Sequence, residues 1–129
     1  MMPVKRPRGT SGARDRRVTP EGGLKRLVLD YLAARRIRVK RNQVGVMNVA
    51  GRRIPFGEKG EADLTAFVPV GTNGLNRTWF YILNLELKSP DGRQSFEQKM
   101  WQQAVEASGE FYLLVRSLDD VIAWLEARK

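Results

Sequence analysis

Trp79–Gly92 reads WFYILNLELKSPDG. Up to Asn84 the run is apolar on both alternating faces, which places a strand of this sequence inside a sheet rather than at its rim. Glu86 and Lys88 then enter two residues apart. Side chains alternate with period two, so the carboxylate and the ammonium share one face at the strand's end. The segment Ser89 to Gln94 that follows reads as a loop.

Downstream, a helix is expected from about Ser95 to Ser108, with Gly109 ending it. Ser95 and Gln98 have the spacing of a capping box. Phe96, Met100, Trp101, Ala104 and Val105 form its expected buried face. Glu110–Val115, EFYLLV, reads as another buried strand. A helix between two strands implies a crossover and hence a parallel pair. Ser117 caps a last helix, with Asp119 and Asp120 in its first turn and Leu118, Val121, Ile122 and Leu125 facing inward.

Upstream, Ala62–Val68 reads as a strand closed by Pro69, and Gly71 to Arg77 as the loop into the long strand. Thr19-Pro20 opens a helix whose stripe is Leu24, Leu27, Val28, Tyr31 and Leu32. Glu21 projects from the end of that stripe. It is either a first-turn carboxylate complementing the helix dipole or a functional group. Arg36–Arg41 alternates basic and aliphatic residues, giving a strand with Arg36, Arg38 and Lys40 on one positive face. Asn42 to Gly51 continues as a hairpin, Arg52 and Arg53 add charge, and Gly57 to Gly60 is a turn. The expected fold is α/β, in the order α-β-β-β-β-α-β-α, with a mixed central sheet flanked by helices. Residues 1–18 carry six Lys/Arg and one Asp and read as a flexible basic arm. Residues 19–129 form one domain.

The chain has 23 Lys+Arg against 14 Asp+Glu, a formal net charge of +9. That excess favours a polyanion, nucleic acid first and an anionic membrane surface second. No Cys and no His are present. Disulfides, thiolate zinc sites, a Cys nucleophile and a Ser-His-Asp triad are thereby excluded. Any metal must be held by oxygen ligands, which suits Mg²⁺, Mn²⁺ or Ca²⁺. No apolar run is long enough to span a membrane and no signal-peptide core is visible. The expected location is cytoplasmic or nucleoid-associated.

Asp63 lies 23 residues before Glu86, on the preceding strand. If the two strands pair as a hairpin, both carboxylates reach one face. With a backbone carbonyl such as that of Leu87 they form an incomplete oxygen cage suited to Mg²⁺. Lys88 beside it can orient an attacking water and stabilise charge developing on a phosphate. The plain alternative is a Glu86–Lys88 surface pair of little energetic weight.

Gly60-Glu61-Ala62-Asp63-Leu64 followed by Asn84-Leu85-Glu86-Leu87-Lys88 resembles the PD-(D/E)XK nuclease superfamily. The run from Lys88 to Gln102, then Gly109 and Val115–Val121, is similar to the VRR-NUC family, in its small stand-alone phage and bacterial form. The first helix with Glu21 and the Asn42-x-x-Gly45 hairpin also fit, and the resemblance covers about residues 19–125. It implies a restriction-endonuclease-like core. It implies Asp63 and Glu86 as metal ligands, completed by the Leu87 carbonyl, and Lys88 as the catalytic lysine. Gln98 would support the site, its plain alternative being the capping box alone. Glu21 would lie near the metal, through water. Ala62 stands where the family often has Pro. The implied activity is Mg²⁺-dependent cleavage of branched DNA such as four-way junctions or flaps by a homodimer, with Mn²⁺ able to substitute. Arg36, Arg38, Lys40, Arg52 and Arg53 would contact phosphates. A non-catalytic nucleic-acid binder on the same fold, an exonuclease and a basic structural protein are the competing readings.

Overall fold

The computed structural model describes residues 20–72 and 78–128. The expected basic arm, the Thr19 cap and most of the 71–77 loop lie outside them. Helix α1 spans Pro20–Ala34 and is followed by strands β1 (Arg38–Arg41), β2 (Gly45–Val49), β3 (Arg52–Phe56), β4 (Leu64–Thr72) and β5 (Thr78–Leu87). Helix α2 (Phe96–Ala107), strand β6 (Phe111–Val115) and helix α3 (Leu118–Glu126) complete the fold. The result is a mixed α/β structure with a four-stranded sheet, order β1-β4-β5-β6, and a separate two-stranded sheet, β2-β3.

β4 and β5 pair antiparallel with Leu64 opposite Leu85, and β5 and β6 run parallel with Glu86 beside Leu114. The long apolar strand is therefore internal, with a parallel neighbour, as its sequence implies. Its period-two pattern divides the sheet into two unlike faces. Leu64, Ala66, Val68, Leu83, Leu85, Leu87 and Val115 face α1 and α3 and form the core with Leu24, Val28, Leu32, Val121, Trp124 and Leu125. Tyr81, Phe111 and Trp124 meet edge to face at its rim.

The opposite face carries polar groups. The Asn42 amide donates to Thr65 Oγ1 at 2.9 Å. The Thr65 hydroxyl donates to Asn84 Oδ1 at 3.1 Å, and the Asn84 amide donates to Glu110 Oε1 at 2.8 Å. Asn84 is almost fully buried, so these partners meet a hydrogen-bonding demand that water cannot.

Several sequence expectations are corrected. Arg36 is not on β1: it closes α1 in the left-handed region (φ 59°), and Ile37 N–H returns to the Leu32 carbonyl at 2.9 Å. β3 is an additional strand, and the hairpin turns at Ala50-Gly51 (φ 51° and 79°), the two positive angles of a type I′ turn. β4 does not stop at Pro69 but runs to Thr72. β1 ends opposite Phe67, so beyond it Pro69 takes no N–H out of a β1–β4 ladder, and a bulge follows. Leu27 is exposed, as are Phe96, Met100 and Ala104, and α2 has no buried residue; only Trp101 and Val105 of its expected face are half-buried. Packing of α2 runs to β6, through pairs such as Trp101 and Tyr112, and stops short of covering the helix's whole apolar stripe.

Candidate active site

Asp63 stands one residue before β4, where β4 and β5 begin to pair. Its Oδ2 accepts the Leu87 N–H at 2.8 Å. Its own carbonyl accepts the Asn42 N–H at 2.9 Å, while the Asn42 side chain donates to the Ala62 carbonyl at 3.0 Å. The Asp63 carboxylate is thus tied to the strand that bears Glu86 and Leu87. Just upstream, Gly60 (φ 85°) lets the chain pass against the start of α2: a Cβ there would collide with the Glu97 carbonyl.

Glu86 is 3 % exposed, on the polar face of the central strand. The Gln98 amide donates to its Oε2 at 2.9 Å, and Lys88 Nζ lies 3.5 Å from the same oxygen. Oε1 is buried with no hydrogen-bond partner. Burial raises the Glu86 pKa from 4.5 to about 7, the neighbouring Asp63 charge adds to that rise, and Lys88 opposes it. This pair is not the exposed ion pair of the plain alternative.

Gln98 makes the expected capping box and also reaches Glu86. Its Oε1 accepts the Ser95 N–H at 2.9 Å and its N–H donates to Ser95 Oγ at 3.1 Å, completing the capping box. The second end of the amide reaches Glu86, so the cap that starts α2 also aims Gln98 into the sheet.

Glu21, exposed on the first turn of α1, lines a 180 Å³ pocket with Gly22, Lys25, Asp63 and Leu87. The first helix therefore delivers a carboxylate to the Asp63 side of the site. Lys25, one helical turn on, was not expected there; its i+4 spacing from Glu21 is the sequence signal for it. Among the described residues no group of three His, Cys, Asp or Glu side chains comes together as a ready-made metal cage. The Asp63 charge acts on Glu86, and Glu21 shares the pocket with Asp63. The donor set, all oxygen, with one buried and unpartnered carboxylate oxygen, fits a hard divalent cation such as Mg²⁺ or Mn²⁺.

Val115 and Arg116, for which the sequence suggests no individual role, also hold the site. The Lys88 N–H is fixed to the Val115 carbonyl at 2.9 Å. Arg116 Nη1 donates to the carbonyls of Ser89, Pro90 and Gly92 at 2.9, 3.2 and 2.7 Å, clasping the loop that leaves Lys88. Of the expected phosphate contacts, Arg38 and Lys40 are exposed on β1, with the Arg38 guanidinium over the Phe67 ring, while Arg52 and Arg53 follow the β2–β3 turn as the first residues of β3. No helix among the described residues is long and apolar enough to cross a membrane. Comparison of the chain with protein-family models, with curated proteins and with solved structures found no match to any of them.

Proposed function

We propose that this chain is a metal-dependent deoxyribonuclease with a restriction-endonuclease-like core of the VRR-NUC kind, cutting phosphodiester bonds in branched DNA as a homodimer. The observation that carries the reading is Glu86: a carboxylate buried in the central strand, beside Asp63, held by Gln98 and Lys88, with one oxygen unpartnered. A structural strand end has no use for a second carboxylate beside a buried one, since like charges there destabilise each other.

Asp63 and Glu86, with the Leu87 carbonyl, would hold Mg²⁺ or Mn²⁺, and Glu21 would approach through water. Bound there, the ion would supply Lewis-acid stabilisation of the phosphate. Lys88 presents its ammonium at the same carboxylate and can hold an attacking water or the charge that builds on a phosphate oxygen. Gln98 fixes the Glu86 rotamer, and Asp63 is fixed by Leu87 N–H, so the groups need little rearrangement on binding. The basic excess supplies sequence-independent affinity for DNA.

The test is cleavage of a labelled four-way junction, a flap and linear duplex by wild type, Asp63→Ala and Lys88→Ala, with Mg²⁺ or EDTA. Metal-dependent cutting of branched DNA, lost in both variants, is expected. Binding without cutting in any metal would move the chain to the non-catalytic binders. Covalently closed circular DNA left intact while free ends are degraded would make it an exonuclease. A monomer mass by light scattering, with full activity, would remove the homodimer.

A further inference from the structure

The β2–β3 ribbon packs against no other strand or helix among the described residues. Val46, Met47, Val49 and Ile54 are 43–50 % exposed, although a lone two-stranded ribbon is marginal without something to bury its apolar side chains. The register puts Val49, Met47, Ile54 and Phe56 on one face of it. Arg52 and Arg53 sit next to the turn.

What covers this ribbon is constrained by charge and by place. Residues 31–57 contain seven Lys/Arg and no Asp or Glu. A second copy would bring two such spans together, whereas a polyanion is attracted to both ends of the ribbon. The ribbon also starts beside the candidate site. Asn42, at its base, is bonded to the carbonyls of Asp63 and Ala62. Its two legs close tightly there: a Cβ on Gly57 (φ 77°) would strike the Gln43 carbonyl. The base of the ribbon is therefore tied directly to the Asp63 backbone.

We propose that the β2–β3 ribbon is a wedge for DNA branch points, which deepens the nuclease reading and rests on it for the chemistry of the neighbouring site. Arg52 and Arg53 hold backbone phosphates. Met47, Ile54 and Val49 press on the base pair whose outer face a branch leaves unstacked. A continuous duplex offers phosphates but no such face. The apolar side chains therefore add affinity only at a branch, and the arginines add it everywhere.

The experiment uses the full chain in EDTA, so that binding is read without cutting. Affinities for a four-way junction and for linear duplex of equal length are compared in wild type, the Met47→Ser/Ile54→Ser double variant and the milder Ile54→Thr. The double variant should bind the junction about tenfold more weakly while duplex affinity stays within about twofold, and Ile54→Thr should fall between. Arg52→Ala/Arg53→Ala should weaken both DNAs alike and lower the salt slope by about 2. An unchanged junction preference in both apolar variants overturns the wedge. So does a dimer, measured by light scattering, that becomes a monomer in the apolar variants with the preference intact, since the ribbon would then join two copies. The two readings fail separately. A wild type that never cuts, yet loses junction preference with these substitutions, keeps the wedge and ends the nuclease; a cutting enzyme indifferent to them does the reverse.

Discussion

Gln98 reaches Glu86 across the gap between helix and sheet, its amide 2.9 Å from Glu86 Oε2 while its carbonyl oxygen caps the helix it starts. One side chain thus sets the start of α2 and the rotamer of the buried carboxylate. Gln98→Ala should lower cleavage by about 10–100-fold, the usual cost of removing a group that orients a ligand. A larger Mg²⁺ requirement should accompany the loss. The variant should also lose about 1 kcal/mol of stability from the missing bond to the Ser95 N–H, measurable by urea unfolding. Gln98→Glu, which can still cap but sets a charge against Glu86, should not restore cleavage.

Glu86 gives metal-free stability a pH dependence of unusual sign for a carboxylate. Its pKa is about 7 in the folded chain and near 4.5 when unfolded. Between those values the folded state keeps a proton that the unfolded state releases. Stability from this group is therefore complete below about pH 4.5 and declines as pH rises to about 7, by roughly 3 kcal/mol in all. Urea midpoints in EDTA at steps across this range should show the decline, and Glu86→Gln should flatten it.

Divalent cations should act in the opposite sense. Ligand carboxylates bind a cation only when ionised, so metal and proton compete at Glu86. Mg²⁺ should raise the melting temperature more at pH 8 than at pH 5.5. At about a hundredfold excess over its dissociation constant, the gain at pH 8 should be about 2.7 kcal/mol. Asp63→Ala should abolish the difference between the two pH values; a gain that survives it would place the cation elsewhere.

Asn84 joins Thr65 to Glu110 and the Phe111 carbonyl inside the sheet. Asn84→Ala strands those groups without their partner and should cost about 2–3 kcal/mol in urea unfolding. Asn84→Asp should do no better, since it puts a carboxylate against Glu110.

How much of this was legible in the sequence varies with the physics involved. Asp63, Glu86 and Lys88 are readable because a strand alternates with period two and the apolar run around Leu83 and Leu85 marks the strand as internal. Gln98 is readable because a capping box has fixed spacing. β3 is not: Arg52-Arg53-Ile54-Pro55 looks like charge followed by a breaker, and only the I′ turn at Ala50-Gly51 makes it a strand. The exposure of Leu27, Phe96 and Met100 is also hidden, because periodicity says which residues share a face and not whether anything packs on it. The Asn42–Thr65–Asn84–Glu110 chain is scattered over four segments and becomes a network only once the sheet order is known. Arg116 clasps three carbonyls, and backbone acceptors leave no trace in side-chain patterns.

The residues of the candidate site come from four separate parts of the chain: Glu21 on the first helix, Asp63 before β4, Glu86 at the end of β5 and Gln98 on α2. Asp63 is held by a backbone N–H of the strand that pairs with its own. On the proposed reading, activity is then a property of the finished fold alone. On that reading a nascent or clipped chain would keep the part of its DNA affinity that comes from charge, with no means to cut what it holds. Proofreading of folding and control of a hazardous reaction would then be the same event, the docking of α1 and α2 on the closed β4–β5 hairpin.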